Sequence, residues 1–527
     1  MSIISFSPFG YEGCLVSVEV DLRRGIPAVD IVGLSDGCVA STRERVKSAI
    51  SNQNLEFPSE RVLISLSPAD VKKEGAGFDL PIALAILVAD AELKDKLLHS
   101  QDEKVMVLGE LELSGKIRPV KGITAALQTA VDSGIKYAII PKDSEKEPDG
   151  ILCYRAETLE EAFYALSKVD DCDTEDAFYE LTEKQAKEKK KVGFAVEFPE
   201  VEEWETHLDS IKGNNGLKYA MAVAVAGRHS ILVYGAPGCG KTMLLQNMTQ
   251  LLPKLTAEEK HSVDRIYSIA GMGECIKNDR RPFRMPHQTA SLEGMCGGGL
   301  GCRPGEISLA HNGVLFLDEA AEFKTSVLQM LRVPLETHHI TLSRAGRSTV
   351  YPADFQLVMA TNPCPCGNYG VKDRMCLCSM KSVEMYWKKF SAPLLDRVAI
   401  RFNANADYDT KELTDSASVL KDWSLEELRN MIKNAWIVQH NRQGKLNNDL
   451  TPEEVANIPL TRDAEETIRE YKDKYSPRKF SNLIKLARTL QDMRGVCGCA
   501  STEVDYFAVL GAIKLIGELP GIVEDMM

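Results

Sequence analysis

The sequence has no apolar run long enough to cross a membrane. No stretch of about 18 apolar residues occurs anywhere in the chain. Residues 1–5 carry neither the basic segment nor the long apolar core of a secretory signal. We therefore expect no signal peptide, no membrane span and a cytoplasmic location.

Positive charge is also scarce. Lys and Arg number 63 against 76 Asp and Glu, and the formal net charge is −13. This balance excludes a protein coated with nucleic-acid-binding surface. It leaves room for a local basic channel, above all in a ring where a few cations per subunit are multiplied.

The length and the cysteine pattern describe a large protein of ordinary composition. A chain of 527 residues with 44% hydrophobic and 26% charged residues is too long for one core, so three or four domains are expected. The 14 cysteines are mostly scattered. Reduced thiols are therefore expected, with one cluster treated below.

A glycine-rich loop between a strand and a helix is the most informative motif. Residues 230–234 predict a short buried strand, residues 235–242 read GAPGCGKT, and a helical pattern starts at Met243. Glycines let backbone N–H groups turn toward phosphates, and a helix N-terminus adds partial positive charge. We predict that Lys241 reaches the β- and γ-phosphates and that Thr242 ligates Mg²⁺; a chance lysine in a turn is the alternative. The predicted nucleotide-binding residues are Gly235, Ala236, Pro237, Gly238, Cys239, Gly240, Lys241 and Thr242.

Four apolar residues followed by two carboxylates form the second motif, VLFLDE at residues 314–319. A buried strand of this kind would deliver Asp318 to the Mg²⁺ shell and let Glu319 orient and polarise the attacking water. Taken alone, the segment is better explained as a core strand ending in an acidic turn. Paired with the upstream loop, it predicts that the chain binds and hydrolyses a nucleotide, ATP.

The first 166 residues alternate short apolar runs with helical patterns and predict a mixed α/β domain. Several strings in it resemble the ComM/YifB family of magnesium chelatase-like ATPases. These strings are IVGLSD at 31–36, SPAD at 67–70, KEG at 73–75, FDLPIAL at 78–84 and GEL at 109–111. The resemblance implies an S5 domain 2-like fold, which the proteolytic domain of Lon shares.

The likeness to Lon calls for a check of the Ser–Lys dyad. The serine position falls at about Gly77 and the lysine position at about Thr124. Without a nucleophile and a base, peptide hydrolysis has no mechanism. Lys72, Lys73 and Lys121 lie nearby and could supply a base, but no well-placed serine accompanies them. We predict a non-proteolytic platform.

The composition changes between residues 167 and 200. An acidic segment at 170–176 precedes a lysine-rich run at 184–191. Such charge runs usually form solvated linkers, which is our prediction; nucleic-acid binding by the lysines is the alternative. The resemblance implies an AAA+ core at 201–405 with a helix-2 insert between the two motifs, and a helical lid at 406–527.

Residues 338–351 alternate on either side of an Ala-Gly pair, which predicts a β-hairpin. A helix over 323–331, ended by Pro334, is predicted before it. The hairpin is similar to the pre-sensor hairpin of related ring motors, which points into the pore. The resemblance therefore implies that Arg344 and Arg347 contact DNA. In the alternative, both arginines pair with local acids such as Glu336.

Three polar residues occupy positions that resemble AAA+ catalytic sites. Asn362 ends an apolar strand and could hold the attacking water, with a strand cap as the alternative. Arg397 resembles an arginine finger that reaches a neighbour's γ-phosphate, with a surface salt bridge as the alternative. Arg478 lies near the start of a predicted helix at a place that resembles the sensor-2 position, where it would touch the bound phosphates in the closed state; Arg488 competes for that role.

Two Cys-x-Cys pairs follow Asn362 directly. Four thiolates at such spacings can converge on one tetrahedral Zn²⁺, although one intervening residue is tighter than usual. Ordinary buried cysteines are the alternative. The predicted ligands are Cys364, Cys366, Cys376 and Cys378.

The two nucleotide motifs predict an ATPase, but the residues alone do not identify the work that it drives. The ComM/YifB resemblance implies a homo-hexameric motor that moves DNA branches when foreign DNA is integrated. The alternative is a chelatase- or MoxR-like ATPase that remodels a protein. The required cofactors are ATP and Mg²⁺, with Zn²⁺ as a further candidate.

Overall fold

Two separate groups of apolar strands build two large sheets, one in each half of the chain. A computed structural model describes residues 2–517 apart from 9, 35, 54, 69–72, 74–75, 94–103, 145–147, 149, 169–195, 203–204, 273–278, 300, 345–346, 372–373, 406–421 and 495–501. The chain is a mixed α/β multidomain protein, as its sequence predicts. The lysine-rich run at 184–191 lies outside the described residues.

The strands are short, and most are buried. They are β1 Ser2–Ser7, β2 Cys14–Arg23, β3 Val29–Val32, β4 Arg61–Ser67, β5 Lys104–Val107, β6 Glu110–Leu111, β7 Ile117–Arg118, β8 Tyr137–Pro141, β9 Leu152–Ala156, β10 Ile231–Tyr234, β11 Phe283–Arg284, β12 Gly297–Gly298, β13 Arg303–Pro304, β14 Val314–Leu317, β15 His339–Arg344, β16 Arg347–Pro352, β17 Gln356–Thr361 and β18 Ile400–Asn403.

The helices connect and cover these strands. They are α1 Asp36–Asn52, α2 Asp79–Leu93, α3 Ile123–Asp132, α4 Leu159–Lys168, α5 Asn215–Gly227, α6 Lys241–Gln246, α7 Ala257–Ala270, α8 Leu292–Cys296, α9 Glu306–Leu309, α10 Thr325–Met330, α11 Pro334–Thr337, α12 Met380–Trp387, α13 Ala392–Leu395, α14 Leu425–Gln443, α15 Pro452–Ala456, α16 Arg462–Lys472, α17 Pro477–Arg494 and α18 Tyr506–Ile516. None of these described helices is long and apolar enough to cross a membrane.

The first sheet has seven strands in the order β3-β4-β2-β1-β5-β8-β9. Strand β2 pairs antiparallel with β1 and β4, while the outer strands pair in parallel. Helix α2 packs against it with almost every side chain buried, as its unbroken apolar sequence requires. Asp79 at the start of α2 is fully buried and pairs with Arg45, whose Nε lies 2.7 Å from Oδ2.

The position that the resemblance assigns to the Lon serine is Gly77, which has no side chain to act as a nucleophile. A side chain at Gly77 would come within 3.6 Å of Val120. Lys73, a nearby candidate base, is buried and donates a hydrogen bond to the Pro68 carbonyl. The described residues here serve packing, and the absence of peptidase activity stays a prediction.

The second sheet has five strands, all parallel, in the order β11-β14-β17-β10-β18. Every residue of β10, β14 and β17 is buried, because helices or loops cover both faces. Parallel strands place all their carboxyl ends at one edge. The segments that follow β10, β14 and β17 therefore meet at that edge.

The predicted hairpin is present as β15 and β16, with Arg344 opposite Arg347 in the register. The N-terminal domain contacts the hairpin, because the Tyr11 backbone N–H donates a hydrogen bond to Thr349 Oγ1 at 3.0 Å. The Tyr11 ring also meets the Tyr351 ring edge-on, with centroids 6.0 Å apart.

One local prediction before the hairpin is wrong. Pro334 does not end the preceding helix but occupies the first turn of a new one, α11. Proline suits that position because it needs no N–H partner there and its φ is already helical. Helix α10 is correspondingly short, Thr325–Met330.

Candidate active site

The glycine-rich loop joins buried strand β10 to helix α6 through two left-handed turns. Gly238 and Gly240 have φ values of 83° and 85°, a region that side chains disfavour. A Cβ at Gly238 would meet no atom within 4 Å, so this glycine borders open space. The Ala236 N–H is fixed by Asn405 Oδ1 at 2.9 Å. The loop thus presents an exposed backbone surface that fits a bound anion.

Lys241 begins helix α6 and is 8% exposed. Its Nζ donates to the carbonyl oxygens of Gly235 and Ala236 at 2.8 and 2.9 Å and lies 3.4 Å from Asn362 Oδ1. Within the described part of the chain, no carboxylate lies within salt-bridge distance of this ammonium. A buried cation without a carboxylate partner is costly, so the site suits an anionic ligand such as a phosphate.

Oxygen donors from the two motifs meet beside this lysine. Thr242 Oγ1 donates to Asp318 Oδ1 at 3.0 Å, and the Glu319 backbone N–H donates to the same oxygen at 3.0 Å. Hydroxyl and carboxylate oxygens are the donors that Mg²⁺ prefers. Thr242 and Asp318 therefore fit a magnesium ion shared with a phosphate.

A cavity of about 500 Å³ opens between the motifs. Its lining residues are Pro237, Gly238, Gly240, Lys241, Thr242, Met243, Asp318, Glu319, Ala360, Thr361 and Asn362. Glu319 is exposed and has a φ of 49°, which is uncommon for a residue with a side chain. The fold thus brings together Lys241, Thr242, Asp318, Glu319 and Asn362, which the sequence assigns to one site.

Arg397 and Arg478 lie elsewhere, beside a second cavity of about 530 Å³. That cavity includes Ser230 and Phe355, which precede β10 and β17, and it shares no lining residue with the first. Because the strands are parallel, the two cavities lie at opposite edges of the sheet. Arg478 therefore lies beside the second cavity and not beside the phosphate loop of its own chain. Its contact with bound phosphates in the closed state stays a prediction.

Glu336 lies between these two arginines. Its Oε1 accepts from Arg478 at 2.7 Å, and its Oε2 accepts from Arg397. Glu336 thus binds Arg397 and Arg478, while the side chains of Arg344 and Arg347 lie outside the described part of the structure, so the alternative in which Glu336 pairs with them stays open. Arg488, the competing sensor residue, is buried and paired with Asp492 at 3.0 Å, so it is committed to packing.

The sequence did not predict that Glu336 binds Arg397 and Arg478. Its partners lie 61 and 142 positions away along the chain. No local pattern links positions so far apart, so only the fold could reveal the contact.

The four cysteines after Asn362 do converge. Their sulfur atoms all lie within 4.8 Å of one another, with Cys364 and Cys366 3.4 Å apart. A backbone hydrogen bond from Asn368 and a side-chain hydrogen bond from the Cys364 thiol lower the pKa of Cys366 to about 6. A backbone hydrogen bond from Cys378 lowers the pKa of Cys376, but desolvation and its hydrogen bonds to the other thiols outweigh this and raise it to about 12. Cys366 is thus readily deprotonated, whereas deprotonation of Cys376 is opposed by the neighbouring thiols. A divalent cation bound by the sulfur atoms would favour deprotonation of both.

Comparisons with known proteins agree with this architecture. Sequence models described as magnesium chelatase subunit ChlI match residues 207–412 and 18–144, and a model of the C-terminal part of ChlI matches residues 423–506. These matches cover all of the second sheet, most strands of the first sheet and most of the C-terminal helices.

Individual proteins with similar sequences also match this chain over shared lengths that differ. The chain is 34% identical to competence protein ComM of Haemophilus influenzae across 94% of each protein, and 40% identical to uncharacterized protein YifB of Escherichia coli across 72% of this chain and 71% of the relative. A Lon protease of Amoebophilus asiaticus is 31% identical across 27% of this chain and 17% of the relative. The chain belongs to the ComM/YifB family of magnesium chelatase-like proteins.

Proposed function

We propose that this protein is an AAA+ motor that hydrolyses ATP to move branched DNA during integration of foreign DNA. The observation that carries the ATPase part is the convergence of Lys241, Thr242, Asp318, Glu319 and Asn362 around one cavity. The DNA part is supported by the similarity to competence protein ComM over nearly the whole chain.

We propose four segments along the chain, with one of the two large sheets in the first and the other in the third. Residues 1–166 form an S5 domain 2-like, non-proteolytic platform, 167–200 a charged linker, 201–405 the AAA+ core with its helix-2 insert and pre-sensor hairpin, and 406–527 the lid. The described lid helices pack on the core through one continuous apolar cluster that includes residues of α5, α14, α17 and α18. Lid and core would therefore move together when the nucleotide changes.

In the proposed chemistry the loop backbone and Lys241 bind the phosphates of ATP. Mg²⁺ would be held by Thr242 and Asp318 and would neutralise phosphate charge. The Glu319 carboxylate, exposed to the cavity, accepts a proton from the attacking water, and Asn362 orients that water.

Arg397 and Arg478 complete the site from a neighbouring subunit. They lie at the opposite sheet edge from their own nucleotide cavity, so a head-to-tail contact would bring them to the next subunit's phosphates. Head-to-tail contacts close into rings when the rotation permits. A homo-hexamer is the ring we propose.

The hairpin is the proposed DNA-contacting element. Arg344 ends β15 and Arg347 begins β16, so both lie beside its tip. Six copies would place about twelve cations around one channel, enough to make DNA binding strongly salt-dependent. This local charge reconciles DNA binding with an acidic chain.

The test is the double variant Arg344→Ala with Arg347→Ala, assayed for DNA binding across a salt series and for branch migration of a four-way junction. The matched control removes Arg462 and Arg469, two exposed arginines of α16. We expect the hairpin variant to lose branch migration and to bind DNA with a smaller salt dependence, while the control behaves like the parent.

Two results would reject this assignment. Branch migration at the parent rate by the hairpin variant would remove the hairpin from the mechanism. Failure of the parent to act on any DNA, together with ATP turnover stimulated by an unfolded protein, would favour the chelatase- or MoxR-like alternative.

We also propose that the four clustered cysteines hold a structural zinc ion. Cys364 follows Asn362 by two residues, and Gly367 packs against Pro237, because a Cβ there would lie 2.5 Å from the proline ring. The cluster therefore supports both the phosphate loop and the strand end that carries Asn362.

We expect about one zinc per chain to co-purify with the protein and Cys376→Ser to lower that content. Metal analysis and thermal unfolding of the purified variants give the measurement. The control is Cys153→Ser, a buried cysteine of the first sheet. If the parent contains no metal and Cys376→Ser melts at the same temperature as the parent, the zinc site is wrong and the cysteines are ordinary packed residues.

A further inference from the structure

A single carboxylate holds both arginines of the second cavity. Each oxygen of Glu336 accepts from one guanidinium, Arg478 or Arg397. Among the described residues, no other carboxylate lies within salt-bridge distance of either arginine. The cluster therefore has two cations and one anion, and its excess positive charge suits a further anion.

Hydrogen bonds hold the backbone on both sides of Glu336. Helix α11 begins with Pro334, and the Glu336 N–H donates to the Val333 carbonyl at 2.9 Å. After the helix, His338 Nδ1 contacts Asp354 Oδ1 at 3.0 Å, and the Ala353 N–H donates to the His338 carbonyl at 2.8 Å. With its backbone fixed on both sides, Glu336 can orient the groups that it binds.

The contact between Glu336 and Arg397 differs from a surface salt bridge because one of its two side chains is largely buried. Side-chain exposure is 51% for Glu336 but 12% for Arg397. The Arg397 guanidinium also donates to the Pro393 carbonyl at 2.6 Å. Hydrogen bonds from Arg397 and then Arg478 lower the pKa of the Glu336 carboxyl, so it is ionised at neutral pH.

We propose that Glu336 is a positioning residue that holds Arg397 and Arg478 together as one binding pair for the phosphates of a neighbouring subunit's nucleotide. The proposal rests on the proposed ATPase function. Its carboxylate keeps the two guanidiniums aligned while the interface is empty, and it competes with phosphate oxygens when the nucleotide arrives. It thus weakens ground-state binding and improves alignment for the transition state.

The test is Glu336→Gln, which keeps the shape and removes the charge. We expect KM for ATP to fall by about threefold or more, because the competing anion is gone, and kcat to fall by about tenfold, because the arginines lose their alignment. Glu336→Asp, which keeps the charge, should bring KM back toward the parent value. A merely structural role would not lower KM.

A double-mutant cycle separates Glu336 from general damage. In an Arg397→Ala, Arg478→Ala background, where turnover is already low, Glu336→Gln should not change the affinity for ATP further, as measured by equilibrium binding. The control Glu465→Gln breaks an exposed pair with Arg469 on α16, whose atoms lie 2.8 Å apart, and should match the parent.

Two failures have different meanings. If the parent hydrolyses ATP and Glu336→Gln gives the kinetics of Glu465→Gln, or acts equally in the arginine-free background, the positioning role is wrong and the ATPase assignment stands. If the parent hydrolyses no ATP at all, the proposed function is wrong and Glu336 loses its role with it.

Discussion

Replacement of Lys241 by alanine should abolish ATP binding, whereas replacement of Glu319 by glutamine should preserve binding and slow turnover by about a hundredfold or more. Lys241 is a buried ammonium at the end of the phosphate loop, and its contacts among the described residues are carbonyl and amide oxygens and the Cys239 sulfur. Glu319 is exposed at the cavity wall and binds no part of the loop. One residue therefore grips phosphate and the other activates water.

The two effects are separated by measuring ATP binding at equilibrium and turnover in the same preparations. Glu322→Gln is the matched control for the carboxylate, because Glu322 is exposed three residues further on and does not line the cavity. Lys472→Ala, at the exposed end of α16, serves for the lysine. Equal turnover by Glu319→Gln and the parent would remove Glu319 from the mechanism.

The nucleotide cavity is the part that the sequence predicts best. Each half is encoded in a contiguous segment, a strand and the residues that directly follow it. The order strand, loop, helix fixes where Lys241 must lie, and a buried apolar strand fixes Asp318. Parallel pairing then brings both halves to one edge without further information.

Contacts across long stretches of chain were not predictable in this way. The resemblance implies that Arg478 touches phosphates in the closed state, but nothing in the sequence indicates the contact that the fold shows, with Glu336 beside Arg397. Pro334 has two permitted uses, after one helix or inside the next, and only packing selects between them. The Tyr11 contact with the hairpin joins segments 338 positions apart, and no periodicity signals it.

The position of Arg397 leads to the strongest prediction about assembly. If it acts on a neighbour, an Arg397→Ala subunit keeps a complete phosphate loop, and a Lys241→Ala subunit keeps a complete arginine. Each variant alone should be nearly inactive, since an arginine supplied across an interface is worth factors of about 10³ or more. Mixed rings should regain activity wherever an intact loop faces an intact arginine, which in an equal random mixture is about a quarter of the interfaces.

The measurement is ATP turnover across mixing ratios, with differently tagged subunits to show that mixed rings form. The control mixes Lys241→Ala with Glu319→Gln. Both of those lesions lie in the same cavity, so no interface in any mixed ring has an intact loop and carboxylate together, and no activity should return. Recovery with Arg397→Ala but not in the control would establish that each site is built from two subunits. Co-purified mixed rings that stay inactive at every ratio would instead confine Arg397 to its own chain, where its contact with Glu336 would be a structural salt bridge.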